Sequence, residues 1–267
     1  MKKSITVPDI LSKKGKEPIV MVTSYDFTMT RIIDSSDIDI ILVGDSAGVV
    51  MAGGEDTIGV SMDQMIYHTK CVTSAKPCAL IVGDMPFMSY QTSVEQAVRN
   101  AGRFLQEAGA KAVKLEGGAR VRPQVEAIVK ADIPLMGHLG LTPQSVHAFG
   151  GHKIQGRGNE AARKLLDDAL ILQDAGAFSI VLECVPAPVA GEITQALDIP
   201  TIGIGAGVHC DGQVLVIQDM LGMFKEFKPK FVKRYANLFD TIKDALDTYA
   251  GEVRQRTFPD DEHSHMQ

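Results

Sequence analysis

No stretch of this sequence approaches ~18 uninterrupted apolar residues, so no membrane-spanning helix is expected. Cysteine is scarce. The four, Cys71, Cys78, Cys184 and Cys210, form no C-x-x-C pair. Their spacing supports neither a disulfide framework nor a zinc site, and buried thiols of a cytoplasmic protein are expected instead. Positive charge is not in excess: the net charge is −6. That argues against nucleic acid, whose phosphates want a basic surface, but leaves room for a small anionic substrate, which responds to local charge. The first apolar run is not followed by a G-x-G-x-x-G turn and there is no P-loop, which weakens a doubly wound nucleotide-binding sheet. Low-complexity segments and linkers are also missing. Met1-Lys2-Lys3 leads into Ser4-Ile5-Thr6-Val7-Pro8-Asp9 rather than an apolar run, so no signal peptide is read.

What the chain does have is a regular alternation. Near-continuous Ile, Val and Leu runs lie at 18–25, 40–46, 78–84, 111–116, 133–138, 178–183, 200–204 and 214–217. Helical segments are expected between most of them, over 26–34, 61–75, 92–109, 121–131, 160–175 and, after Val185-Pro186-Ala187-Pro188, up to about Leu197. Strands that are apolar on both faces belong to a parallel sheet covered on both sides. Eight of them in 267 residues predict an α/β fold, a (β/α)8 TIM barrel, which commonly takes about 250 residues. The whole of 1–267 reads as one such domain, with a short polar leader, glycine-rich loops at 47–59 and 139–158, a helix over 231–251 and a loose tail.

The stretch Lys111-Ala112-Val113-Lys114-Leu115-Glu116-Gly117-Gly118 sharpens this. Alternation along a strand puts Lys114 and Glu116 on one face and Val113 and Leu115 on the other. Charges on an inward face need partners, so this strand's end should open onto a polar pocket. Active sites of such barrels lie at the carboxyl ends of the strands. Those ends carry Tyr25, Asp45-Ser46, Asp84, Lys114 with Glu116, His138 and Glu183. An acid after a strand also serves as a helix N-cap, but Asp45, Asp84, Glu116 and Glu183 converging on one mouth would repel each other unless a cation sat among them. Carboxylates without a His or Cys cluster suit Mg²⁺ or Mn²⁺. Lys114 either neutralises Glu116 or serves a substrate carboxylate or enolate oxygen. His138 reads as a hydrogen-bonded pocket residue, and Ser46 as a turn cap. Gly203-Ile204-Gly205-Ala206-Gly207 is either a phosphate nest or a tight turn.

Six motifs together resemble the ketopantoate hydroxymethyltransferase family: Ile41-Leu42-Val43-Gly44-Asp45-Ser46, Gly83-Asp84-Met85-Pro86-Phe87, Val113-Lys114-Leu115-Glu116-Gly117-Gly118, His138-Leu139-Gly140-Leu141-Thr142-Pro143-Gln144, Leu182-Glu183-Cys184-Val185-Pro186 and Ile202-Gly203-Ile204-Gly205-Ala206-Gly207. The resemblance runs from about Thr6 to Pro259. It implies a Mg²⁺-dependent enzyme of pantothenate biosynthesis, assembled as a homo-oligomer, typically a decamer. Such an enzyme moves a one-carbon unit from 5,10-methylenetetrahydrofolate to 3-methyl-2-oxobutanoate, giving 2-dehydropantoate. On matching positions, Asp45, Asp84 and Glu116 would form the metal site. Asp45, Ser46, Asp84 and Lys114 would contact substrate, and Glu183 would accept the proton. A rival reading is a Mg²⁺/2-oxo-acid lyase of the phosphoenolpyruvate mutase and isocitrate lyase group, but the Lys-Lys-Cys-Gly-His type of loop of that group is absent. A non-catalytic barrel would be expected to have lost some of the acids.

Overall fold

A strand buried on both faces has no polar side to offer water, and the eight apolar runs find the arrangement that satisfies this. In the computed structural model, which describes residues 3–151, 153–225 and 229–265, they form β1 (Ile19–Thr23), β2 (Ile40–Val43), β3 (Leu80–Asp84), β4 (Ala112–Glu116), β5 (Leu135–Gly140), β6 (Ser179–Glu183), β7 (Thr201–Ile204) and β8 (Gly212–Leu215). Each pairs in parallel with the next, and β8 pairs with β1, closing the barrel. Met1 and Lys2 of the leader, His152 of the expected long loop, and the last two residues of the tail lie outside the described residues.

Helices α1 (Val7–Ser12), α2 (Phe27–Asp34), α3 (Ala47–Val50), α4 (Met62–Ser74), α5 (Val94–Gln106), α6 (Arg122–Lys130), α7 (Val146–Phe149), α8 (Asn159–Asp174) and α9 (Ala187–Ala196) complete residues 1–216. Two of them, α3 and α7, are single turns inside the segments expected to be loops. The alternation breaks once. Residues 205–211 join β7 to β8 without a helix, and the glycines there serve as a turn, Gly205 and Gly207 both having positive φ. β8 accordingly starts at Gly212, two residues before the expected Val214.

The barrel interior follows the two-residue period of the strands. Ile19 and Met21, Ile40 and Leu42, Leu80 and Val82, Ala112, Met136, Val181, Ile202 and Val214 form one buried cluster. Ile10 belongs to it too, and Ile5 and Val7 pack against it. The leader is therefore no loose polar segment: α1 plugs the amino end of the barrel. Its start is set by a capping box. Thr6 Oγ1 accepts from Asp9 N, while Asp9 Oδ2 accepts from Thr6 N at 2.9 Å, so two otherwise orphaned amides are satisfied reciprocally.

Contacts divide the chain into two compact units, 1–216 and 217–267. The second holds α10 (Ile217–Met220) and α11 (Leu238–Gln255). α11 begins seven residues later than the expected 231. The preceding segment bonds back to the α10 turn: Tyr235 N donates to Met220 O, Leu238 N to Leu221 O and Phe239 N to Gly222 O. Of these, Tyr235 lies ahead of α11, whereas Leu238 and Phe239 are its first two residues, whose amides have no partner within the helix. Among the described residues no helix is long and apolar enough to cross a membrane. Among the described residues the four cysteines form no disulfide, and they are half-buried rather than buried as expected.

Truncating the plug tests its contribution. Ile10 is fully buried, and Ile→Ala in a packed core costs about 2–5 kcal/mol. Ile10→Ala should lower the urea midpoint by a corresponding amount with the m-value unchanged; a loss within ±0.5 kcal/mol would show that the amino end is closed without it.

Candidate active site

Continuing the inward parity of the core residues toward the carboxyl ends changes the chemistry. Val82 is followed two residues on by Asp84, Ala112 by Lys114 and Glu116, Met136 by His138, and Val181 by Glu183. The register brings them level, with Asp84 opposite Lys114 and Glu116 opposite His138. Glycines let the chain turn away at these ends. Gly117 has φ +124°, and Gly140 has φ +90° with room for no side chain, since a Cβ would lie 2.2 Å from Glu183 O. The close approach permits Leu141 N to donate to Glu183 O at 2.8 Å, tying the β5 and β6 ends together.

The charged groups form one network. Lys114 Nζ donates to Asp84 Oδ1 at 2.6 Å and lies 3.4 Å from His138 Nδ1. Asp84 Oδ2 accepts from Asp45 N at 3.1 Å, which fixes the loop after β2 against β3. His138 stands between two acids, Nδ1 3.4 Å from Glu116 Oε1 and Nε2 3.2 Å from Glu183 Oε2. Neither contact is aligned as a hydrogen bond: His138 Nε2 and Glu116 Oε1 are buried atoms without a hydrogen-bond partner among the described residues. Five of the expected site residues, Asp84, Lys114, Glu116, His138 and Glu183, are thus in one chain of contacts, with Asp45 joined to it through its backbone. Ser46 is set apart, its Oγ 2.8 Å from the hydroxyl of buried Tyr25. It belongs to α3's first turn but makes no side-chain cap there.

Exposure differs within the network in a way that matters for chemistry. The Asp84, Lys114, Glu116 and His138 side chains are 1–4% exposed, whereas that of Glu183 is 16% exposed. Burial raises the proton affinity of Asp84 against the pull of Lys114, and Asp45 and Glu116 add to it, lifting its pKa to about 7. Burial likewise raises Glu116, with His138 opposing. For Lys114, burial disfavours the ammonium, but Asp84, Asp45 and Glu116 outweigh it and hold the charge on. For His138, burial and Lys114 oppose protonation, yet Glu116 and Glu183 prevail and raise it to about 9.

Two residues without a place in the sequence reading organise this network. Gln144, just after β5, donates its side-chain amide to Asp45 Oδ2 at 3.0 Å and its backbone N–H to Glu116 Oε2 at 3.0 Å. Tyr90, fully buried between β3 and α5, places its hydroxyl 2.8 Å from Gln144 Oε1 and accepts from Glu116 N at 3.1 Å. Gln144 sits in the His138–Gln144 motif, but nothing in its residue type distinguishes it from a solvated loop glutamine, and its partner Asp45 is 99 residues away. Tyr90 carried no signal at all.

The donor set fits a hard divalent cation in chemical type. Glu116 Oε1 is a buried carboxylate oxygen with no hydrogen-bond partner among the described residues. The charge on Asp45 adds to the raised proton affinity of both Asp84 and Glu116, a strain that a dication relieves. Among the described residues, however, no three His, Cys, Asp or Glu side chains converge into a ready-made cage. An ion here would take few protein ligands and complete its shell with water or substrate, the habit of Mg²⁺. Beside the network, a cavity of about 440 Å³ opens between the β4 and β5 ends and α8, lined by Gly117, Arg120, Thr142, Phe149, Lys164 and Asp168 among others. None of the network's charged side chains lines it.

Comparisons with known proteins agree with one another. Residues 4–261 match the family model for ketopantoate hydroxymethyltransferase. The 3-methyl-2-oxobutanoate hydroxymethyltransferase of Clostridium botulinum (strain Alaska E43 / Type E3) is 60% identical over 264 residues, 99% of this chain and 96% of that protein. The enzyme of the same name from Pelobacter propionicus is 56% identical over 265 residues, 99% and 98% of the two chains. In fold, the chain is similar to a crystal structure of 2,3-dimethylmalate lyase, a member of the phosphoenolpyruvate mutase/isocitrate lyase superfamily. That match has a TM-score of 0.61, covers 98% of this chain and 92% of that one, and has 14% identity. It bears on the architecture alone.

The raised His138 makes a pH prediction. Its folded value of about 9 exceeds the ordinary 6.5, so the stability it contributes is fully present below pH 6.5 and lost as pH rises through 9. Urea unfolding in EDTA from pH 6 to 10 should show wild type losing stability across that window and His138→Gln losing less. Parallel curves for the two proteins would contradict the assignment.

Proposed function

The chain belongs to the ketopantoate hydroxymethyltransferase family, and from that membership together with the acid network we propose that it transfers a one-carbon unit from 5,10-methylenetetrahydrofolate to 3-methyl-2-oxobutanoate, giving 2-dehydropantoate and tetrahydrofolate. Its relatives of 55–60% identity carry the transferase name, and the keto-acid half of the reaction follows from that name. The folate donor, the Mg²⁺ dependence and a cytoplasmic homodecamer are the finer parts of the proposal. The observation that carries it is the placing of Lys114 and three carboxylates in a dry barrel mouth with a fourth carboxylate, Glu183, left partly open to water.

The C3 proton of a 2-oxo acid is only weakly acidic, so the site must stabilise enolate charge and supply a base. Asp45, Asp84 and Glu116 would hold a Mg²⁺ ion, which as a Lewis acid would supply stabilisation of the keto and carboxylate oxygens. Lys114 is an obligate cation in this site and adds a fixed positive charge where negative charge develops. Ser46, beside Tyr25, offers a hydroxyl at the same mouth. Glu183 takes the C3 proton. Its exposure lets that proton pass to water, and His138, 3.2 Å away, keeps the carboxylate oriented. Water is the third reactant. It opens the methylene bridge: both methylene–nitrogen bonds break, each nitrogen takes one of the water's protons, and the carbon is freed at the aldehyde level. The enolate carbon then bonds to that carbon, whose oxygen takes the proton lost from C3 and becomes the new hydroxyl.

Incubating the chain with 3-methyl-2-oxobutanoate, methylenetetrahydrofolate and Mg²⁺ should yield 2-dehydropantoate; no product with all three present overturns the proposal. Enolisation can be followed without folate, as exchange of the C3 proton for deuterium in D₂O by NMR. Glu183→Gln keeps the shape but cannot accept the proton, so exchange should fall by about 10²–10⁴-fold with keto-acid binding little changed. Exchange at the wild-type rate would remove Glu183 from the base role.

A further inference from the structure

Gln144 makes more bonds within the network than any of its acids. Its carbonyl oxygen faces two donors, the Tyr90 hydroxyl at 2.8 Å and Gln91 Nε2 at 3.1 Å. Its amide nitrogen faces two acceptors, Asp45 Oδ2 at 3.0 Å and Met85 O at 2.9 Å. A flipped amide would set oxygen against two oxygens and NH₂ against NH₂, so the four partners allow one orientation only. The backbone N–H of the same residue holds Glu116 Oε2 at 3.0 Å. One buried residue thus binds one oxygen of each of two carboxylates, and the second oxygen of Glu116 is left buried without a hydrogen bond, 3.4 Å from His138 Nδ1.

We infer that Gln144, clamped by Tyr90, is a positioning residue for the cation site: it commits one oxygen of Asp45 and one of Glu116 to the protein so that the remaining pair faces a divalent ion. The inference rests on the proposed Mg²⁺ site. Outer partners of this kind fix the direction of a ligand's lone pairs, and losing one typically weakens metal affinity about 10–100-fold. Tyr90 acts one step further out. Its single proton goes to Gln144 Oε1, the shorter of its two acceptor contacts, the other being Glu116 O at 3.2 Å. Gln91 touches Gln144 Oε1 but no carboxylate.

The test is Mn²⁺ affinity of the full chain, read from the free-ion electron paramagnetic resonance signal without substrate, beside thermal melting of each protein. Gln144→Leu should bind Mn²⁺ about 10–100-fold more weakly. Tyr90→Phe should bind it severalfold more weakly, and Gln91→Leu should match wild type. The double variant Tyr90→Phe/Gln144→Leu should be no weaker than Gln144→Leu alone, because Tyr90 acts through Gln144. If Gln144→Leu does not fold, Tyr90→Phe decides. A folded Gln144→Leu or Tyr90→Phe that binds Mn²⁺ like wild type overturns the inference. So does a Gln91→Leu that loses as much as Gln144→Leu, since the effect would then be one of packing. Wild-type protein that takes up no Mn²⁺ overturns the metal reading itself, a distinct result.

Discussion

Everything at the carboxyl end of this barrel depends on one electrostatic difficulty: several carboxylates and one ammonium are held together away from water. Pairing Lys114 with Asp84 at 2.6 Å relieves it only in part, because two charges taken from water repay their desolvation only with close geometry and further hydrogen bonds. One ammonium cannot neutralise Asp45, Asp84 and Glu116 at once. The surplus appears as raised proton affinity on Asp84 and Glu116 and as an imidazole that keeps its proton. A site in this state favours cations, and it favours anions only when they bring a cation with them.

The apolar part of the fold is what makes such a site tolerable. Strand pairing supplies a backbone in which every inward position of Asp84, Lys114, Glu116 and His138 is dictated by the neighbouring strand's register. The side chains below them are Val82, Ala112 and Met136, members of the buried cluster. The polar layer therefore rests on a packed floor, and small movements that would relax the repulsion are opposed by the whole barrel. Gln144 and Tyr90 add a second restraint from the loop side, where strands no longer hold the chain.

Strands and site acids were legible in the sequence for the same reason: both obey the two-residue period. Lys114 and Glu116 could be placed together on an inward face without knowing any contact, and the strand ends named Asp45, Asp84, His138 and Glu183 directly. The family motifs pointed to the same positions. What was hidden depends on distant partners. Gln144 acquires its place only because Asp45, Glu116 and Tyr90 meet it in space. The start of α11 sits where the chain bonds back to Met220, Leu221 and Gly222, contacts that helix periodicity does not report. No helix was expected between β7 and β8 and none forms there, but whether the glycines of that segment make a nest or a turn was not legible, because both want the same backbone freedom. The leader looked polar because only Val7 and Ile10 fall within a six-residue helix, with Ile5 just ahead of its cap, and so short a helix shows no convincing apolar face.

That plug has a mechanical meaning. Ile10 shares one buried cluster with residues from all eight strands, so a segment that precedes the barrel in sequence is built into the closure of its whole circumference. Withdrawing that one side chain would leave its void in a cluster to which every strand contributes. The leader is a keystone rather than an appendage.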